Sequence, residues 1–376
     1  MVNFTFKTPP KIIFESGSAG RLGQLVRATM KRPVFVTDEG VMKAGLTNDA
    51  LDSLRDEGLD VLVFGDVVAD PPASVIREAV KAAKAHGADG VIGFGGGSSL
   101  DTAKLIAVLI DSDQSLEDVY GVDNVKGARP PLVLLPTTAG TGSEVTAISI
   151  VTSDDLQKIG VVSDQLFADL AIVDPKLTLT APRGVTSATG IDAMVHAIEA
   201  YTSRLLRNPV SCALAKEALG LLANNLLTAC EEPDNLKARE AMSIGATLAG
   251  QAFANAPVAA VHAMAYPLGA LFHVPHGVSN ALMLSPVLKF NAAVAADQYA
   301  ELGPVVGVGA DANAFIDHMI DLCQKSGTPL RLTDVGVNHN DLPRMAEDAA
   351  KNERLMKNNP REVTYDDALR LYEEVL

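Results

Sequence analysis

From Ala241 to Leu288 the chain runs for 48 residues without a single Asp, Glu, Lys or Arg. A run of that length belongs in an interior, either that of a protein or that of a bilayer. A bilayer-spanning helix needs about 20 mainly apolar residues. Here the run is broken by Gln251, Asn255, His262, His273, His276 and Asn280, with Pro257, Pro267 and Pro275 between them. Polar groups at that density are costly in lipid. The expected structure is therefore a buried helical core with polar residues at chosen points. The first residues, MVNFTFKTPPKIIFESG, show no basic patch followed by an apolar run, so no signal peptide is read there.

Before residue 183 the pattern is different. Short β-branched runs at Lys11–Phe14, Val34–Thr37, Val61–Phe64, Gly90–Phe94 and Leu132–Pro136 alternate with helical stretches such as Leu46–Glu57 and Ser74–His86. Strand, helix, strand at this spacing predicts a parallel sheet covered on both faces. Ala147–Thr152 and Lys158–Ser163 flank Ser153-Asp154-Asp155 and read as an antiparallel hairpin added to that sheet. Leu170–Val173 reads as a last strand, stopped by Asp174-Pro175. Beyond Ala181-Pro182-Arg183-Gly184, helical periodicity takes over in Val185–Tyr201, Pro209–Ala229 and Leu236–Phe253. The expected fold is an α/β domain over residues 1–183 followed by an all-α domain over 184–376.

Composition narrows the function. Asp and Glu exceed Lys and Arg by enough to give a net charge of −15. That excess repels phosphate backbones and anionic headgroups, so neither nucleic-acid nor membrane-surface binding is expected. The three cysteines, Cys212, Cys230 and Cys323, have no CxxC spacing. They describe neither a disulfide framework nor a thiolate zinc site, and a reducing, cytoplasmic setting is expected.

Two loops could hold a phosphate. Gly93-Phe94-Gly95-Gly96-Gly97-Ser98-Ser99 follows a predicted strand and opens a helix through Leu100-Asp101-Thr102-Ala103-Lys104. Successive glycines let backbone N–H groups approach a phosphate, and a helix N-terminus favours negative charge. The loop departs from the standard dinucleotide fingerprint. Ser98 stands where the third glycine would be, and no acidic residue is evident about 20 residues downstream. A plain strand-to-helix turn is the alternative. Pro136-Thr137-Thr138-Ala139-Gly140-Thr141-Gly142-Ser143-Glu144 also follows an apolar strand. Two such loops at strand ends of one sheet can line a single crevice. Asp38 closes the second strand, where a carboxylate suits ribose hydroxyls and opposes a 2′-phosphate; an ordinary helix-capping Asp would look the same.

The helical half supplies metal-ligand candidates. Asp192 and His196 are four residues apart and share one helix face. His262 and His276 lie in the charge-free stretch, the latter in His273-Val274-Pro275-His276-Gly277. One carboxylate and three imidazoles can hold a divalent first-row metal. Glu199 and His273 have usable spacing too, so periodicity alone does not choose among them. Of seven histidines, four fall between residues 196 and 276.

These motifs together resemble the iron-containing, or group III, alcohol dehydrogenase family. The resemblance rests on GGGSSLDTAK, PTTAGTGSEVT, GIDAMVHAIEAY and VHAMAYPLGALFHVPHGVSNAL and covers nearly the whole chain. It implies an α/β N-terminal dinucleotide-binding domain and an all-α C-terminal domain, a dehydroquinate synthase-like architecture. The metal and substrate are then expected in the cleft between them. Carried over position by position, it implies Asp192, His196, His262 and His276 as metal ligands. It implies Asp38, Gly96, Gly97, Ser98, Thr137, Thr138, Thr146 and Lys158 as cofactor groups, and Phe253 as an aromatic facing the substrate. Many members carry, four residues after the first histidine of the HAMA motif, a second whose imidazole is a candidate proton acceptor or substrate contact; this chain departs from them with Tyr266 there, and His273 could serve instead. Tyr266 and His273 are thus the residues to watch for proton transfer.

The function implied is hydride transfer between a small alcohol, or its aldehyde or ketone, and NAD at a metal site. Iron is expected first, with Zn²⁺ accepted by the same ligands. A zinc polyol dehydrogenase on the same fold and a non-catalytic dinucleotide-binding sensor are the competing readings. A homo-oligomer, most simply a dimer, is expected.

Overall fold

The computed structural model describes residues 3–155 and 157–376. Met1 and Val2, which begin the N-terminal stretch read above, and Leu156 lie outside the described residues. Packing divides the chain into two units. One comprises Thr8–Thr138 and Gly142–Thr180. The other comprises Ala181–Leu376 with Ala139–Thr141 and the N-terminal residues up to Lys7.

The α/β unit contains β1 (Ile12–Phe14), β2 (Pro33–Asp38), β3 (Leu62–Val67), β4 (Gly90–Gly95), β5 (Gly121–Val122), β6 (Leu132–Pro136), β7 (Ile148–Thr152), β8 (Lys158–Val162) and β9 (Leu170–Val173). Its helices are α1 (Leu22–Val26), α2 (Glu39–Lys43), α3 (Asn48–Asp56), α4 (Ala73–His86) and α5 (Gly97–Leu109). Six strands form a parallel sheet in the order β1-β9-β6-β4-β2-β3. The middle strands GVIGFG and LVLLP are buried along their whole length. Such continuous apolar runs are what a sheet covered on both faces requires. On one face Phe35, Ile92, Phe94 and Leu135 pack with Leu22, Val26 and Leu54; on the other Val34, Val91 and Leu134 pack with Leu100, Ala103 and Ile106 of α5.

The hairpin of β7 and β8 is antiparallel, but it does not extend this sheet. It joins β5 in a separate three-stranded sheet, ordered β5-β8-β7. The reason lies in what its apolar face meets. Val151 and Val161 pack with Leu105 and Leu109 of α5 and Ile76 of α4. Asp101 of α5 accepts the Ile150 N–H at 2.8 Å, so a helix rather than a strand satisfies that point of the hairpin.

The helical unit contains α6 (Arg183–Thr202), α7 (Pro209–Glu231), α8 (Leu236–Asn255), α9 (Ala260–Phe272), α10 (His276–Leu302), α11 (Ala312–Ser326), α12 (Leu342–Ala350), α13 (Glu353–Met356) and α14 (Tyr365–Glu373). The charge-free stretch forms most of α8, all of α9 and the first half of α10. By length and composition His276–Val306 would pass for a membrane span, yet most of that apolar window is buried inside the unit. From Thr186 to Thr202 nearly every residue of α6 is buried. That helix is the axis on which the site is built.

Candidate active site

Asp192 and His196 project from one face of α6. Asn255 ends α8, Pro257 prevents its continuation, and the chain turns by 105° into α9. That bend puts His262 in the first turn of α9. At the other end of α9, His273 takes a left-handed conformation with φ 56° and Pro275 precedes α10, which makes His276 the first residue of α10.

The four side chains converge on one oxygen. Asp192 Oδ1 lies 3.7 Å from His196 Nε2, 3.6 Å from His262 Nε2 and 3.6 Å from His276 Nε2. Tetrahedral ligands bound about 2.1 Å from one ion stand about 3.4 Å apart, so each imidazole nitrogen is spaced from Asp192 as a shared ion requires; Asp192, His196 and His262 offer ligand atoms all within 4.8 Å of one another, a group that does not take in His276. Asp192, His196 and His262 are buried, and His276 is about one-third exposed. Three of the four candidate ligands are thus closed off from solvent, and the side at His276 is partly open.

Charge supports the same fit. Among the described residues no Lys or Arg pairs with Asp192 or Glu199, both buried. Burial pushes the Asp192 carboxyl up, but His196, His276 and the hydrogen bond with His262 outweigh it and hold it well below the ordinary carboxylate range. Burial pushes His196 down to about 3, leaving a neutral lone-pair donor at pH 7. On His262 burial acts the same way, but Glu199 and Asp192 outweigh it and raise the imidazole to about 9. Two buried carboxylates thus draw positive charge into the pocket, a demand that a divalent ion meets.

Two neighbours complete the cluster. Glu199 accepts from His262 Nδ1 at 2.7 Å, which commits that carboxylate and takes it out of the ligand set. Asn280 donates to Asp192 Oδ1 at 2.6 Å, and its Nδ2 lies 3.2 Å from His262 Nε2 and 3.3 Å from His276 Nε2. Sequence reasoning counted Asn280 only as a polar interruption. The available signal was its position four residues after His276, on the same face of α10.

The other expected substrate-side residues separate. Phe253 stacks on His196 with ring centroids 4.2 Å apart, and Tyr266 lies 6.1 Å from the His276 ring. His273 is exposed at the end of α9, and its side chain makes no hydrogen bond or ring contact among the described residues.

In the α/β unit Asp38, Gly96, Gly97, Ser98, Thr137 and Thr138 gather at the carboxyl ends of the adjacent strands β2, β4 and β6, whereas Thr146 precedes β7 and Lys158 opens β8 of the smaller sheet. Gly95 ends β4 with φ 152°, a conformation open to glycine, and an added Cβ would lie 2.7 Å from Ser99 Cβ. Gly96 caps α5, and the nearest atoms to a Cβ there are 3.9 Å away on Thr138, leaving room above the helix N-terminus. Gly96, Gly97 and Ser98 are partly exposed, and the first N–H groups of a helix have no partner within it. Thr137 N–H donates to Gly95 O at 2.9 Å, bringing the second loop beside the first. On the neighbouring strand Asp38 Oδ1 caps α2 through Val41 N–H, while Oδ2 accepts from Ser99 Oγ. Asp38 is therefore a helix cap, with one oxygen committed to that role.

Lys158 pairs with Asp70 at 2.6 Å, and the Asp70 N–H donates to Ser98 Oγ at 3.3 Å. Thr146 is buried, and its hydroxyl accepts from Lys104 Nζ at 3.1 Å. Lys104, the last residue of the glycine motif, went unassigned in the sequence. It also donates to Ser143 Oγ at 2.8 Å and Ile148 O at 2.7 Å, tying α5 to the second loop and the hairpin.

Comparison with known proteins agrees with this geometry. Residues 9–175 match the family model for iron-containing alcohol dehydrogenases, and residues 186–376 match that for the C-terminal part of the same family. The chain is 38% identical to long-chain-alcohol dehydrogenase 1 of Geobacillus thermodenitrificans, over 94% of this chain and 93% of that protein. It is 31% identical to the NAD-dependent methanol dehydrogenase of Bacillus methanolicus, with both chains covered throughout. A crystal structure of 1,3-propanediol oxidoreductase superimposes with a TM-score of 0.96 over the whole of both chains at 32% identity. The chain belongs to the iron-containing alcohol dehydrogenase family and is an alcohol oxidoreductase.

Proposed function

We propose that the protein oxidises small primary or secondary alcohols with NAD, and runs the reverse reduction, at a centre formed by Asp192, His196, His262 and His276. The carrying observation is the convergence of three Nε2 atoms on Asp192 Oδ1 at 3.6 to 3.7 Å. Fe²⁺ is the proposed resident ion, with Zn²⁺ accepted by the same donors. Residues 1–183 are the proposed cofactor domain and 184–376 the proposed metal and substrate domain. NAD as cofactor is supported by the similarity to an NAD-dependent methanol dehydrogenase. It is supported also by the open helix N-terminus at Gly96, Gly97 and Ser98 and by the Asp38 carboxylate, which would oppose a 2′-phosphate. Thr137 and Thr138, with Thr146 and Lys158 behind them, complete the proposed cofactor set. The protein is proposed to act in the cytoplasm as a homo-oligomer, most simply a dimer.

A bound divalent ion supplies Lewis acidity that lowers the cost of ionising an alcohol hydroxyl. The chain's residues do the rest. Asp192 stays ionised and His196 neutral, so both present lone pairs at pH 7. Phe253, stacked on His196, offers an apolar wall that keeps water from the reacting carbon. Tyr266 or His273 is the proposed relay for the hydroxyl proton. Bound NAD would supply the hydride acceptor, so that an alcohol giving up its hydroxyl proton and carbinol hydride would leave as the aldehyde or ketone.

The test is replacement of the outer ligands. His262→Ala and His276→Ala are each expected to lower kcat at least about a thousandfold, with the NAD dissociation constant within about twofold of wild type. Near-normal turnover in either variant would remove that residue from the ligand set.

A further inference from the structure

Glu199 is buried on the α6 face that carries Asp192 and His196, seven residues and about two turns beyond Asp192. Neither of its oxygens is free. Oε2 accepts from Ala259 N–H at 2.9 Å and from His262 Nδ1 at 2.7 Å, and Oε1 accepts from Val261 N–H at 2.7 Å. Ala259 is the N-cap of α9 and has no side chain able to cap it. Glu199 reaches across from another helix and fills that place, where the helix dipole favours a negative charge.

The same carboxylate decides what His262 can do. Two backbone donors and one imidazole N–H on an acceptor-only group put the imidazole proton on Nδ1. In the neutral ring, the form that binds a metal, the lone pair is then on Nε2, which lies 3.6 Å from Asp192 Oδ1. A glutamine cannot reproduce this, because its NH₂ would confront one of three N–H donors whichever way it turned. We infer that Glu199 is the positioning residue that fixes His262 with Nε2 directed at the ion site, and so sets the metal affinity of the centre. This rests on the metal assignment proposed above. The physical basis is general: a carboxylate on the far nitrogen of a ligating histidine orients the ring and raises its basicity.

Zinc gives a diamagnetic probe, and seven histidines make a tractable ¹⁵N-histidine spectrum. In wild-type protein loaded with Zn²⁺, His262 is expected to bind through Nε2 and to show an Nδ1–H proton that exchanges slowly with water. Chelator competition should show Zn²⁺ held about 10- to 100-fold more weakly by Glu199→Gln. NAD affinity should be unchanged, and Glu199→Asp, which keeps the charge, should recover part of the loss. A folded Glu199→Gln variant with wild-type Zn²⁺ affinity would overturn the inference. Should that variant fail to fold, the wild-type spectrum decides alone. A slowly exchanging Nδ1–H supports the inference, and one that exchanges as freely as an exposed imidazole's overturns it. Failure of the metal assignment reads differently: no histidine resonance would move on adding Zn²⁺, and the inference would fall with it.

Discussion

A Cβ built on Gly277 would lie 2.2 Å from the Ala188 carbonyl oxygen and 2.6 Å from its carbon. α10 therefore meets α6 backbone to backbone at the residue next to His276. Gly277→Ala must push the start of α10 away and carry His276 off its 3.6 Å approach to Asp192. Overpacking of this kind costs about 1–3 kcal/mol. The variant is expected to unfold at lower denaturant and to bind metal more weakly, while its NAD affinity holds. Denaturant titration and Co²⁺ absorbance would measure the two effects, and wild-type values in both would contradict the packing argument. At this scale the candidate donor types were legible, but the choice among them was not. Asp192, His196 and Glu199 all share one helix face. What sets Glu199 apart from the other two is the N–H donors at the start of α9, some 60 residues away, which claim its oxygens. Spacing within α6 carries no trace of them.

At the scale of elements, α5 does more than present its N-terminus. Its buried Lys104 spends all three protons on Ser143, Thr146 and Ile148, with Asp101 3.7 Å away. Lys104→Met leaves the half-buried Asp101 with its hydrogen bonds from Ser143 and Ile150 but without its cation, and breaking a buried pair costs up to about 3–5 kcal/mol. The variant should lose that much stability and loosen the second loop, weakening NAD binding. The pH dependence has a definite sign. Burial lowers the Lys104 ammonium from 10.5 to about 8. From pH 8 to 10.5 the unfolded chain therefore holds a proton there that the native protein has released, and this group's contribution to stability rises with pH. Stability curves of wild type and Lys104→Met should diverge across that window; parallel curves would contradict the lowered pKa. The strands and long helices were legible from periodicity, because buried parallel strands are continuously apolar and α4 repeats at helical spacing. The position of the hairpin was not. Its alternation shows which side chains face inward, but not that α4 and α5, rather than a strand, receive them.

At the scale of the whole molecule, the change of pattern near residue 183 coincides with the start of α6 at Arg183. Packing nevertheless assigns Ala139–Thr141 and the N-terminal residues up to Lys7 to the helical unit. In the first case the reason is visible. An added Cβ on Gly140 would lie 2.6 Å from Thr189 Cβ, so the loop backbone sits directly against α6. Linear order cannot show such a crossing, because the residues concerned are small, few and flanked by the other unit. Strand order has the same character. β9 lies between β1 and β6, a position set by crossovers and not by any local motif. The proposal at stake is metal-dependent, NAD-linked alcohol oxidoreduction by this chain. The most direct test takes protein stripped of metal, reloads it anaerobically with Fe²⁺ or Zn²⁺, and follows NADH formation from a panel of small alcohols. The account predicts no turnover without metal and its return with Fe²⁺ or Zn²⁺. Full activity in the stripped protein, or silence with both metals in protein that demonstrably binds them and NAD, would contradict it.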